Sequence, residues 1–196
     1  MHKKENKRWR FLYSQALEGK SKSAKIAYIA VTTAFCVVAN MFFEFKLADT
    51  QFSLTILISA LAGVLIGPLF GFTACFLGDL VGFLYHSSGF AYYPWVGVSM
   101  GCIALISGLL LGGGNRGKKW LFYVKVSLVC ISTFLLCTVA INTTAFWLLY
   151  SKVDYFTYLV ARLFVQGQIW NSLVNYALLF LVLPALARVK PLNIQI

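Results

Sequence analysis

Charged side chains are scarce in this 196-residue sequence, and their scarcity excludes an ordinary soluble protein. Only 12% of the residues are charged, 60% are hydrophobic, and the mean hydropathy is +0.77. A water-exposed surface needs many more charged side chains than this chain can supply. The sequence therefore predicts a protein that lies mostly within a lipid bilayer.

Groups that carry out enzyme chemistry are also scarce. The chain has two histidines, His2 and His86, and six acidic residues. It lacks the GxSxG, HExxH and paired acidic motifs of common hydrolases and the P-loop GxxxxGK[ST] of ATPases. These absences argue against an enzyme and against an ATPase within this chain. Active uptake of a substrate would need energy from partner proteins or from an ion gradient.

The five cysteines indicate neither disulfides nor a metal site. All five lie inside apolar runs, and none forms a CxxC pair. A free cysteine behaves as a small hydrophobic residue, so we interpret these side chains as packing residues. They are Cys36, Cys75, Cys102, Cys130 and Cys137.

The net charge of +11 reflects topology rather than nucleic-acid binding. Eight of the seventeen basic residues fall in the first 25 positions. The aromatic residues lie mostly in apolar runs and do not alternate with the charges, as a strand-binding groove requires. We therefore expect no nucleic-acid partner. Residues 1–23 are predicted to form a basic cytoplasmic arm, including a short helix on the inner membrane surface and no cleavable signal peptide.

Long apolar runs fill the rest of the chain. About 20 residues are needed to cross about 30 Å of hydrocarbon, and backbone groups in lipid must be paired within a helix. The sequence predicts an all-α integral membrane protein, with a six-helix membrane domain at 24–196. The predicted spans are 24–43, 52–66, 69–85, 93–111, 120–150 and 156–187.

The remaining basic residues agree with this count. Cytoplasmic loops of membrane proteins carry an excess of lysine and arginine. Six spans place the basic arm, the loop after the fourth span and the C-terminal tail on the same side. Both termini are therefore predicted to be cytoplasmic, and the loops after spans one, three and five external. The basic residues of that inner loop and tail are Arg116, Lys118, Lys119, Arg188 and Lys190.

The last span contains the most polar side chains. Such residues are costly within a membrane and mark pathways or sites. Gln168, Asn171 and Asn175 share one helical face, which we expect to look into the bundle because amides facing lipid would be unsatisfied. Arg162, at the outer end of this span, either binds an anionic group of a substrate or reaches the outer headgroups.

Other candidate residues lie at the same level of the bundle. Asn142 is in the outer half of the fifth span. Tyr93 and Trp95 begin the fourth span, as an interfacial belt or as a stacking surface for a ring system. Lys46 lies in the charged first external loop, a candidate lid. Amides, an arginine and aromatics together suit a heterocyclic substrate with a polar or anionic tail.

Two other patterns concern packing and ion coupling. Small residues recur at four-residue intervals, as at Gly63, Gly67 and Gly71, and this spacing lets helix backbones approach closely in lipid. We interpret most of them as packing within the bundle. Asp79 lies in the third span and is either a structural hydrogen-bond partner of a neighbouring helix or a proton relay.

Four segments in order resemble the S components of energy-coupling factor (ECF) vitamin importers, most closely the folate family. They are IGPLFG at 66–71, LGDLVG at 77–82, SGFAYYP at 88–94 and GLLLG at 108–112. Asn142-Thr143 with Trp147, and Arg162 early in the last span, are also similar to that family. The resemblance extends over roughly residues 24–187.

The resemblance implies a function. S components are six-helix membrane proteins of prokaryotic cell membranes that bind a vitamin in their outer half. They dock on a transmembrane coupling protein (the T component) with two cytoplasmic ATPases, and topple to release the vitamin inward. An AxxxA surface on the first helix contacts the T component, and Ala30 and Ala34 match that pattern. The chain itself would bind no cofactor, and ATP would be used by its partners.

Several alternatives remain open at this point. Folate is the first choice of substrate, and cobalamin, pantothenate or a pyridoxine-type vitamin are alternatives. A protein of another class would be a small ion-coupled secondary transporter that uses Asp79. A small membrane enzyme or a structural subunit is a third class, although the basic, glycine-rich inner loops do not suit an inner-surface active site.

Overall fold

The computed structural model describes residues 12–42, 44–47, 50–85, 92–113 and 119–189, with backbone only at 44–47, 50, 51 and 119. Helices account for most of this part of the chain. They are α1 (Lys22–Phe42), α2 (Thr55–Ile66), α3 (Pro68–Tyr85), α4 (Pro94–Leu111), α5 (Lys119–Thr133), α6 (Thr144–Tyr150), α7 (Tyr155–Val160) and α8 (Gln168–Ala187). Two π-helical segments are π1 (Phe134–Thr143) and π2 (Ala161–Val165), and two strands are β1 (Glu44–Leu47) and β2 (Thr50–Ser53).

Within the described residues, five helices are long and apolar enough to cross a membrane. This confirms the prediction of an all-helical membrane protein. α5 from Trp120 onward, π1 and α6 form one of them, a continuous run of 31 residues. The five are Lys22–Phe42, Pro68–Tyr85, Pro94–Leu111, Trp120–Tyr150 and Gln168–Ala187.

The second predicted span forms a shorter helix than expected. α2 has 12 residues, and ten of them are buried. It packs against α1, α3, α4 and α8 at the centre of the bundle. A helix that is apolar on every side is buried in protein, so its length need not match the bilayer. The chain from Thr50 to Ser53, which includes the predicted start of this span, is strand β2 instead.

Glycines allow α2, α3 and α4 to pack backbone to backbone. A Cβ atom at Gly63 would lie 1.8 Å from the carbonyl oxygen of Ala104. A Cβ at Gly71 would lie 2.8 Å from the Cα of Gly63, and one at Gly108 would lie 2.7 Å from the oxygen of Gly63. The interpretation of the small-residue spacing as internal packing is confirmed at these positions.

The apolar core has two parts that share α2 and α4. In one part, side chains of α5 and α8 such as Val126, Leu179 and Leu183 pack against α2 and α4. In the other part, side chains of α1 and α3 such as Cys36 and Ala74 pack against the same two helices. The two central helices thus hold the two sides of the bundle together.

A β-hairpin occupies the first predicted external loop. β1 and β2 pair antiparallel, with Glu44 opposite Ser53 and Leu47 opposite Thr50. Lys46 lies in β1 opposite Gln51. Asp49, another charged residue of this loop, lies outside the described residues. The side of the bundle that carries this hairpin is called the hairpin end below.

Part of the predicted N-terminal arm packs against the opposite end of the bundle. The Ser14 hydroxyl donates to the carbonyl oxygen of Leu65 at 2.5 Å, and the Gln15 N–H donates to the carbonyl oxygen of Gly112 at 3.0 Å. Leu17 is completely buried. These contacts satisfy carbonyl groups at the C-terminal ends of α2 and α4. Residues 1–11 lie outside the described part.

The last predicted span is interrupted. The chain forms α7 and π2, reaches Gly167 with φ of +71°, and then begins α8. A left-handed residue cannot continue a right-handed helix, and glycine adopts this conformation without a steric penalty. The N-cap residue of α7 is Asp154, whose side chain accepts from the Thr157 N–H at 2.9 Å. This hydrogen bond lowers the pKa of the Asp154 carboxyl.

Candidate functional site

Four aromatic side chains pack together at the hairpin end. Tyr93 and Trp95 come from the start of α4, and Phe146 and Tyr150 come from α6. The ring centroid of Tyr93 lies 4.9 Å from that of Trp95, 5.6 Å from that of Phe146 and 5.8 Å from that of Tyr150. The Tyr150 hydroxyl donates to the Tyr93 hydroxyl. We call these four residues the aromatic cluster.

Arg162 lies against the aromatic cluster. Its Cζ atom is 4.5 Å from the centroid of Phe146, a cation–π geometry. Its Nε atom is buried and has no hydrogen-bond partner among the described residues. The residue belongs to π2, and π-helical segments occur frequently at functional sites. The guanidinium is therefore packed on an aromatic ring with one donor still available.

Two further polar atoms of this region are buried without a partner in the described part of the chain: Trp95 Nε1 and Asn142 Oδ1. Asn142 lies in π1 and is oriented by a hydrogen bond from its Nδ2 to the Ser99 hydroxyl at 3.0 Å. An unsatisfied buried polar group costs roughly 1–3 kcal/mol. With Arg162 Nε, the region offers two donors and one acceptor beside aromatic rings, which suits a planar ligand with polar edges.

Asn171 and Asn175 are the most deeply buried of the predicted site residues. Asn171 is 6% exposed and Asn175 is completely buried, so their face looks into the bundle as predicted. Their amides bond to the backbone of Ser53 in β2 and of Leu57 in α2. These contacts give both residues a role within the fold. That they also contact substrate remains a prediction.

Gln168 and Lys46 lie in α8 and β1, respectively. Gln168 is the first residue of α8 and is half-buried. Lys46 is placed by its backbone in β1, and its side chain lies outside what the structure describes. Their roles in substrate binding also remain predictions.

Comparison with known proteins identifies the family. The model of the family "ECF-type riboflavin transporter, S component" matches residues 20–188. The chain belongs to this family. The prediction of an ECF S component is thereby confirmed, and the family is a substrate-binding transport component rather than an enzyme.

A solved structure supports the fold. The chain is similar to the crystal structure of FolT bound with folic acid, with a TM-score of 0.64 and 21% sequence identity. The similarity covers 83% of this chain and 93% of FolT. A search of curated proteins found no match.

In this S component, Ala30 and Ala34 lie on the exposed side of α1. The opposite side of the helix is buried through Thr32, Cys36 and Ala39. The AxxxA pattern is therefore not used for packing inside the bundle, and its face is accessible for another protein. That this face of α1 docks on a partner protein remains a prediction.

Asp79 has a structural partner in this S component. It accepts a hydrogen bond from the Tyr92 hydroxyl at 2.9 Å. A Cβ atom at Gly97 would lie 2.9 Å from both the Asp79 carboxylate and the Tyr92 hydroxyl, so α3 and α4 approach closely here. This arrangement agrees with the structural interpretation of Asp79, and a relay role remains untested.

Sequence reasoning missed three residues of the site. Phe146 and Tyr150 follow Asn142 at intervals of four, and this spacing on one helical face was the available signal. Ser99, which orients Asn142 across the helix interface, carried no signal in the sequence. The π-helical geometry of π1 and π2 was likewise not visible from composition or spacing.

Proposed function

We propose that this protein is the substrate-binding S component of an ECF vitamin importer, and that folate is its substrate. The observation that carries the proposal is the aromatic cluster with three buried polar atoms at its edge, from Trp95, Asn142 and Arg162. A pterin-like ring would stack on the aromatic side chains and use the donors and the acceptor. A carboxylate tail would pair with the guanidinium of Arg162.

The proposed orientation places the hairpin end outside the cell and both termini in the cytoplasm. The basic residues of the N-terminal arm and of the inner loop then face the cytoplasm, as the positive-inside rule requires. Six membrane passages follow if the short, buried α2 counts as one of them and if the interrupted 155–187 counts as another. The protein would reside in a prokaryotic cell membrane.

Transport would depend on partner proteins. A T component would bind the exposed face of α1 that carries Ala30 and Ala34, and two cytoplasmic ATPases would supply the energy from ATP. The S component itself would need no cofactor. Toppling of the loaded bundle in the membrane would then release the vitamin inward.

Riboflavin is the second candidate substrate, because the matching family model describes riboflavin transporters. The two vitamins differ in a way that the site can report. Folic acid carries carboxylates, whereas the riboflavin tail is a neutral polyol. Dependence of binding on the charge of Arg162 would therefore favour folate, and indifference to that charge would favour riboflavin.

The first experiment is to identify the ligand directly. The protein is purified in detergent, co-purifying small molecules are identified by mass spectrometry, and tryptophan fluorescence is titrated with a panel of vitamins. The panel contains folic acid, riboflavin, cobalamin, pantothenate and pyridoxine. Tight binding of folic acid supports the proposal, and tight binding of another vitamin replaces the substrate. Absence of binding to every vitamin would refute the proposed function.

A further inference from the structure

The two buried amides of α8 hold a residue from a distant part of the chain. Asn171 Oδ1 accepts a hydrogen bond from the Ser53 N–H at 3.0 Å. Asn175 Nδ2 donates to the carbonyl oxygen of Ser53 at 2.7 Å. Both backbone groups of this last residue of β2 are therefore bonded to side chains of α8.

Asn175 also caps α2 from another helix. The N-cap residue of α2 is Leu54, whose side chain has no hydrogen-bonding group. Asn175 Oδ1 accepts from the Leu57 N–H at 3.0 Å, a bond that an N-cap serine or aspartate would make within its own helix. The start of α2 is therefore tied to α8 by a side chain.

The amide pair is also bonded internally. Asn175 Nδ2 donates to the carbonyl oxygen of Asn171 at 2.8 Å and lies 3.2 Å from its Oδ1. A buried polar network whose members are satisfied is rigid and specifies one arrangement. We call Asn171, Asn175 and their contacts to Ser53 and Leu57 the amide latch.

The latch lies close to the segment that carries Arg162. The interruption at Gly167 precedes Asn171 by four residues. On the other side of it, in α7 and π2, none of the described residues is buried. The chain is therefore firmly held just after Gly167 and less firmly held just before it, where Arg162 contacts the aromatic cluster.

We infer that Asn171 and Asn175 are positioning residues. By fixing β2 and the start of α2 to α8, they hold the hairpin and the Arg162 segment at one spacing around the bound vitamin. Neither amide needs to touch the ligand for this role. The inference rests on the proposed function in one respect, namely that a vitamin binds at the hairpin end.

The test uses the full chain in detergent, with Asn175→Leu as the main variant. Hydrogen–deuterium exchange measures protection of the backbone at residues 50–58, and stopped-flow tryptophan fluorescence measures association and dissociation of folic acid and of riboflavin. We expect faster exchange in this segment. We also expect dissociation of the bound vitamin to be faster by roughly tenfold, with association little changed.

A matched control exists on the same helix. Tyr176→Phe changes the next residue and removes its hydroxyl contact with Thr133 at 3.1 Å, which does not involve the hairpin. We expect this variant to leave both exchange at 50–58 and dissociation unchanged. If Asn175→Leu does not fold, the same two measurements are made on Asn171→Ala. This variant removes the Oδ1 atom that accepts from the Ser53 N–H and from Asn175 Nδ2, and it leaves the Asn175 bonds to Ser53 and Leu57 in place.

The outcomes test the amide latch and the proposed function separately. Unchanged exchange at 50–58 in the variants would show that the amides do not hold β2. Faster exchange with unchanged dissociation would overturn their role in positioning the site. If the wild-type protein binds no vitamin, the proposed function fails and the positioning role fails with it, while exchange alone still decides whether the latch holds the hairpin.

Discussion

Replacing Arg162 with alanine tests the candidate site most directly. Its guanidinium lies 4.5 Å from the ring of Phe146, and its buried Nε has no partner among the residues described. In the protein alone, the substitution removes a cation–π contact of roughly 0.5–2 kcal/mol. It also removes an unsatisfied buried donor, which offsets part of that loss. We therefore expect only a small change in stability.

The expected effect on binding is much larger. A hydrogen bond to a charged group contributes roughly 1.5–3 kcal/mol, and its loss weakens affinity roughly ten- to 150-fold. The measurement is a tryptophan-fluorescence titration with folic acid, alongside thermal unfolding in the same detergent. Arg162→Lys keeps the charge but loses the planar fork of donors, so its affinity should fall between those of wild type and Arg162→Ala.

The control is an arginine-to-alanine substitution at the other end of the bundle. Arg188 follows α8 at the end opposite the hairpin, and Arg188→Ala should leave folate affinity unchanged. Equal affinity of Arg162→Ala and wild type for a ligand that does bind would refute the reasoning. The guanidinium would then serve the packing of Phe146 or the outer headgroups and not the ligand.

Three other predictions concern packing, partners and ion coupling. Gly63→Ala should destabilise the protein by about 3 kcal/mol in thermal unfolding, because the new Cβ would meet the backbone of α4. Gly113→Ala should leave the stability unchanged, because no described atom lies within 4 Å of the new Cβ. Replacing Ala30 and Ala34 with leucine should preserve vitamin binding and abolish co-purification with a T component and ATPases; intact assembly would contradict the docking surface. Asp79→Asn should preserve both vitamin binding and uptake. An ion-coupled carrier would be favoured if this variant lost uptake but kept binding, and if uptake by the wild type needed no ATPase.

Hydropathy predicted best the helices that are long and apolar enough to cross a membrane. α1, α3 and α4 begin and end within two residues of their predicted spans, because lipid demands a continuous apolar helix. α2 departs from this rule because it is surrounded by protein. There strand β2 replaces the start of the predicted span, and the backbone groups of its last residue, Ser53, bond to side chains of α8.

The site was predicted in its residue types and only partly in its geometry. Tyr93, Trp95, Asn142 and Arg162 were selected as polar or aromatic residues in the outer half of the bundle, and the structure brings them to one region. Arg162 was predicted to lie in the same continuous span as the amides of Asn171 and Asn175. The structure separates them by π2 and the left-handed Gly167.

Composition and hydropathy determined by themselves that this is a helical membrane protein, and the order of four short segments carried its resemblance to the S components. The helical membrane character depends on solvent transfer and local chain preferences, which act residue by residue. Only the tertiary structure decided that Asn171 and Asn175 bond to Ser53 and Leu57, and that Arg162 stacks on Phe146. Such contacts join residues far apart in the chain or on either side of a loop, and they depend on how the helices pack.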